Sequence, residues 1–200
     1  ARFWDSFSRM QFKNKTIVVI LSDHGTEFYE HKRFDHGFSL YDELVHVPLV
    51  FVVPGLESGK VVREQVSTID VAPTLFDVLG IDPGEKFRAQ MRGTSLFSYL
   101  KNGKGVSRDV FMETDYRDYT HKRGIRTANG WKFIWTMETG EQELYNIEQD
   151  PQETNNVVES FPDIAAALAE RVRGHNEEMG QQVEGPWKTW CVPVYGDQCK

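Results

Sequence analysis

Thr16–Gly25 reads TIVVILSDHG, and Val47–Gly55 reads VPLVFVVPG. Each begins as a short run rich in branched apolar residues and closes on turn formers, the pattern of a strand buried on both faces. A helix signal follows in STIDVAPTLFDVLGI, residues 67–81. Ser67 or Thr68 can cap it, and Asp70 and Pro73 stand in its first turn. Leu75, Val78 and Leu79 supply an apolar face, and Gly80 stops it. Buried strand, loop, buried strand, helix predicts an α/β chain with an open, mainly parallel sheet.

On the N-terminal side, Phe3, Trp4, Phe7 and Met10 share one helical face, so residues 1–12 read as the end of an amphipathic helix. On the C-terminal side the composition shifts near Gly84. MRGTSLFSYLKNGKG reads as loop, short helix and linker. VFMETDY, KRGIRTANG, WKFIWTM and QELYNI follow as short segments punctuated by Asn129-Gly130 and Gly140. These are hairpin signals and predict a small antiparallel sheet. FPDIAAALAERVRGHNEEMG predicts an amphipathic helix after Pro162. The expected organisation is a distal piece of an α/β domain over 1–95, a small α+β subdomain over 96–180, and an irregular tail over 181–200.

The chain has 200 residues and a formal charge of −7. That balance argues against a nucleic-acid surface, which needs clustered Lys and Arg. It suits either a cation held by acids or an ordinary solvated surface. No apolar run approaches the roughly 18–20 residues that span a bilayer. Cys191 and Cys199 fall in the last ten residues. They read as a short-loop disulfide of an oxidising compartment or as two surface thiols.

Ile20–Leu49 holds four of the six histidines and many acids. Ligands of open α/β sheets gather at the carboxyl ends of strands, where Ser22-Asp23-His24-Gly25 stands. Asp23 offers a hard anionic oxygen and His24 a nitrogen ligand or a donor. Gly25 permits a positive φ or a close approach to a bound group. One Asp-His pair does not complete a calcium or zinc shell. His31, Asp35 and His36 are near in sequence. Glu27, Glu30, Asp42 and Glu43 add acidity or form a solvated face. His46 is expected to pack beside its strand, and His121 and His175 read as surface residues.

In series, TIVVILSDHG, Glu30-His31, HGFSLYDELVHVPLVFVVPG, STIDVAPTLFDVLGI, RGTSLFSYL, GIRTANGWKFI and ELYNIEQDPQETNNV resemble the C-terminal half of a sulfatase of the alkaline-phosphatase superfamily. The likeness covers roughly residues 1–175 and implies metal-assisted hydrolysis of a sulfate ester. It implies a divalent ion, usually calcium, with Asp23 and His24 as ligands, and a formylglycine nucleophile made from a C/S-x-P-x-R motif. No such motif occurs here; CVPVY at Cys191–Tyr195 lacks the Arg. The nucleophile and a pair of early Asp ligands are therefore expected in an N-terminal remainder of the same enzyme.

The family often binds sulfate with a Lys before its LYEE segment. Counting from Glu30-His31, that position is His36; counting back from Tyr41, it is Gly37. His36 is the favoured reading, since an imidazolium can donate to a sulfate oxygen or a leaving group. His31 is a secondary candidate beside the ligands, and Lys132 reads as structural. The implied compartment is periplasmic, secreted or lysosomal. Two alternatives stand beside this reading. One is a phosphodiesterase, phosphonate hydrolase or phosphoethanolamine transferase of the same superfamily. The other is a non-catalytic fragment or binding module.

Overall fold

The computed structural model describes residues 2–117 and 119–181. The chain partitions into two compact units, each assembled from separated stretches: 2–22 with 48–108, and 23–47 with 109–181. Cys191, Cys199 and nearly all of the expected tail lie outside the described residues.

The first unit opens with α1 (Arg2–Phe7) and a 3-10 turn at Lys13–Lys15. The helix is shorter than the apolar spacing suggested. Phe7 alone of its expected face is buried, while Phe3, Trp4 and Met10 stay exposed. The two apolar runs form β1 (Val18–Leu21) and β4 (Leu49–Val52), as the sequence indicated. They pair with each other antiparallel, Val18 opposite Val52 and Leu21 opposite Leu49. A parallel pair needs a crossover connection, usually a helix. The connection here holds only a hairpin and one helical turn, so the chain returns in the opposite direction. Parallel neighbours are absent among the described residues, and Ile20, Leu21 and Val50 keep exposed side chains where full burial was expected.

α3 (Val71–Leu79) follows a 3-10 turn at Thr68–Asp70 and ends at Gly80 with φ of 64°. Asp70, fully buried, is the organising group. Its carboxylate accepts the backbone N–H of Ser67 and of Thr94, each at 2.7 Å, and the Arg108 guanidinium. The Thr74 hydroxyl accepts the N–H of Leu96 at 2.8 Å. A Cβ on Gly93 would fall 2.1 Å from the Ile69 carbonyl oxygen. STIDVAPT and RGTSLF are thus two halves of one hydrogen-bonded knot, with α4 (Glu85–Arg88) between them and α5 (Phe97–Asn102) after it.

In the second unit, β5 (Val110–Tyr116), β6 (Thr120–Arg126), β7 (Trp131–Thr136) and β8 (Gln142–Asn146) form an antiparallel meander. Gly130 and Gly140 take positive φ at two of its turns, as the hairpin signals required. Side chains alternate across the sheet. Ile125, Phe133 and Leu144 face α6 (Pro162–Glu178) and pack on Ala165, Leu168 and Val172. Ile134, Tyr145 and Ile147 pack instead on Leu40, so residues 38–45, including α2 (Asp42–Val45), lie against the other face. The hairpin strands β2 (Glu27–Phe28) and β3 (Phe34–Asp35) complete the unit.

Candidate metal and sulfate site

Asp23, His24 and His36 all belong to the second unit. Gly25 fixes the turn. Its N–H donates to the Leu44 carbonyl at 2.8 Å, and a Cβ there would sit 1.8 Å from the Glu43 carbonyl oxygen. The glycine therefore serves a close approach of the chain to itself rather than to a bound group.

The Asp23 side chain stands open to solvent. Its carboxylate accepts the N–H of His24 at 3.0 Å. That hydrogen bond, then its own N–H and the nearby imidazoles, hold its pKa below the ordinary carboxylate value. The His24 Nδ1–H donates to the Gly25 carbonyl at 2.7 Å. A carbonyl only accepts, so the proton is at Nδ1 and a neutral ring carries its lone pair on Nε2, 3.8 Å from Asp23 Oδ2. A backbone carbonyl holding one ring nitrogen is how a metal-binding His is commonly oriented.

The His36 ring stacks on that of His24, with centroids 4.2 Å apart and planes 15° from parallel. Its Nδ1 lies 2.6 Å from Asp35 Oδ1, and the Tyr116 ring meets it edge-on at 6.0 Å. Gly37 has a φ of 91°, and a Cβ there would fall 2.2 Å from the Tyr116 ring. At the position the alternative count pointed to, the Tyr116 ring leaves no room for a side chain. Asp23 and His24 fit as part of a cation site: one ionised oxygen donor and one oriented nitrogen. Among the described residues, no group of three or more His, Cys, Asp or Glu side chains is arranged to hold a metal ion.

Several other ionisable groups of the stretch have structural tasks. His31 Nε2 donates between the carbonyls of Gln152 and Glu153, each at 3.1 Å. Its other face stacks on Tyr41 at 3.7 Å, and Nδ1 lies 3.2 Å from Glu43. Glu27, Asp42 and Glu43 are not a solvated face. Glu27 is fully buried, and burial raises its pKa. Its strand position, rather than a helical one, turns it inward.

Lys132, also fully buried, donates to Asp42 at 2.8 Å and pairs with Glu153 at 2.7 Å. Burial pushes both carboxyls up. Lys132 and Arg126 overcome that at Asp42, whose pKa is lowered, while burial prevails at Glu153. The Glu153 carboxylate also accepts the Asp42 N–H at 2.6 Å. Glu143 takes the Tyr41 and Tyr145 hydroxyls at 2.6 and 2.8 Å; burial, with that carboxylate, raises both phenol pKa values.

Three histidine expectations need correction. His46 is exposed rather than packed. His121 is buried, with Nδ1 2.9 Å from Asp115, because β6 turns it inward beside Arg123. His175 is half-buried, stacked on Phe111 at 3.9 Å. Tyr116, a site neighbour, had no signal in the sequence beyond its place in a strand.

This is an α/β chain with an Asp-His turn just past the end of its first strand. Residues 29–178 match the family described as N-sulphoglucosamine sulphohydrolase, C-terminal, and the chain belongs to it. It is 28% identical over 176 residues to Arylsulfatase K of Mus musculus and 32% identical over 164 to the Delta 4,5-hexuronate-2-O-sulfatase of Bacteroides thetaiotaomicron. Those matches cover 82% and 78% of this chain but 31% and 33% of the relatives, so the chain spans about a third of their length.

Among solved structures, a 2-O GAG sulfatase matches with a TM-score of 0.75 at 27% identity, covering 88% of this chain and 39% of that one. The phosphonate monoester hydrolase of Agrobacterium radiobacter matches with a TM-score of 0.73 at 24% identity, over 88% and 38%. The latter likeness is one of fold. No helix among the described residues is long and apolar enough to cross a membrane.

Proposed function

We propose that this chain is the C-terminal part of a sulfuric ester hydrolase acting on a sulfated carbohydrate. The observation that carries the reading is the convergence of Asp23, His24 and His36 in one unit of a sulfatase-family chain. Asp23 and His24 would hold a divalent cation, calcium by family resemblance, with further ligands and a formylglycine nucleophile from the remainder of the enzyme. When bound, the cation supplies charge that stabilises sulfate oxygens. Asp23 is held ionised for that purpose by the His24 N–H. His36, oriented through Nδ1 by Asp35, presents Nε2 as the group that touches the sulfate or protonates the leaving oxygen. The relatives named for 2-O sulfate on sugars support a carbohydrate ester. An extracytoplasmic compartment suits such a substrate.

The test is sulfate release from a sulfated disaccharide by the protein expressed from its full coding frame, with and without calcium. Calcium-dependent release, lost in Asp23→Ala, supports the reading. A preparation that releases nothing from sulfate esters yet cleaves a phosphonate monoester overturns it in favour of the phosphonate hydrolase alternative.

A further inference from the structure

The hairpin that leads into His36 is built inside out. Glu27 stands opposite Asp35, and Phe28 opposite Phe34. Neighbouring strand residues point to opposite faces. Here the buried position holds Glu27, while Phe28 and Phe34 are 71% and 64% exposed. Tyr29, 58% exposed, stacks on Phe34 with centroids 5.2 Å apart. A charged group inside and three aromatic rings outside reverse the partition that water imposes.

The backbone is constrained as well. Tyr29, Lys32 and Asp35 have φ of 87°, 63° and 93°, conformations that non-glycine residues rarely adopt and that gather at functional segments. The Tyr29 N–H bonds to the Arg33 carbonyl at 2.8 Å, and Glu30 accepts the Phe28 N–H. Lys32 and Arg33 are exposed at the tip.

Resting on the hydrolase reading, we infer that residues 28–34 form a platform for an anionic saccharide. The Tyr29–Phe34 pair receives the C–H face of a pyranose ring, which meets the negative faces of the aromatic rings. Lys32 and Arg33 take the sulfate or carboxylate groups of the same saccharide through charge-assisted hydrogen bonds. The charge beside the rings selects this occupant over a polypeptide segment. A protein surface closing over the aromatics would draw two cations out of water and would have to pair both. His36 follows Phe34 by two residues, so platform and sulfate contact are one continuous segment.

The experiment is calorimetric titration of the protein from its full coding frame, stripped of metal with EDTA to stop turnover, with a singly sulfated disaccharide. The expected result is binding by the parent and a Kd raised about tenfold in Phe34→Ala, with an unchanged thermal midpoint. Arg33→Ala is expected to weaken binding and flatten its salt dependence. Absence of binding by the parent overturns the platform. So does a Kd within twofold of the parent's in Phe34→Ala, or a lowered midpoint in that variant, which would place the ring under protein. Sulfate release is scored separately. Binding without release on restoring metal refutes the hydrolase and leaves the platform; release with a Kd indifferent to Phe34 does the reverse.

Discussion

The imidazoles of His24 and His36 stack 4.2 Å apart, each with Nδ1 held by an oxygen: the Gly25 carbonyl for one, the Asp35 carboxylate for the other. Both rings thereby have a defined outward nitrogen, and the two differ in what lies beside it. His24 Nε2 lies 3.8 Å from Asp23 Oδ2, whereas the carboxylate beside His36 is that of Asp35. The proposed roles follow, and they separate experimentally. His36→Gln is expected to lower kcat by about 10²-fold while calcium content, measured by atomic emission, stays at the parent level. Asp23→Ala is expected to lose calcium and rate together.

The turn that carries these groups depends on the absence of one carbon. In Gly25→Ala the new methyl would meet the Glu43 carbonyl oxygen, and backbone has no rotamer with which to yield. A loss of roughly 1–3 kcal/mol in urea unfolding is expected. Activity should fall further than stability predicts, because relief of the clash moves Asp23 and His24 away from His36.

Lys132 is the buried counterpart of an exposed site. Removing it leaves buried Glu153 without a cation and Asp42 with Arg126 alone. Lys132→Ala is therefore expected to cost about 3–5 kcal/mol, read from the urea midpoint. In Lys132→Met with Glu153→Gln, one buried charge and its repulsion are gone, and much of that loss should return. If the two variants unfold alike, packing of the lysine stem rather than charge is what matters.

Much of the second unit was legible because period and punctuation agree there. Asn129-Gly130 and Gly140 bound segments of strand length, and Pro162 opens a helix of the expected extent. Asp23 and His24 could be singled out because a strand-end turn is a known place for such groups, whereas His36 was reached only through the family resemblance. The direction of β4 was not legible. A buried run reads the same forwards and backwards, and only the connection decides its sense. Glu27 and His121 were misread for a related reason. Each sits in a strand, where inward or outward is fixed by partners that no local pattern names.

Glu27 provides a pH test with a definite sign. Its carboxyl is fully buried; burial is the largest influence and raises its pKa above the ordinary 4.5, against the lowering effect of the Ser39 hydroxyl and of His31 and Arg33. A raised acid contributes stability that is complete below pH 4.5 and is lost as pH climbs through the folded value. Asp42 behaves oppositely. Its lowered pKa means stability present above pH 3.8 and lost on acidification. Glu27→Gln, which keeps the shape and removes the charge, is expected to raise stability at pH 8 by about 1 kcal/mol, the scale of a relieved buried polar group. The gain should vanish near pH 4, where the parent already carries the proton. Thermal midpoints of both proteins across pH 4–8 decide it. A gain that is constant with pH would mean that packing, not ionisation, separates the two side chains.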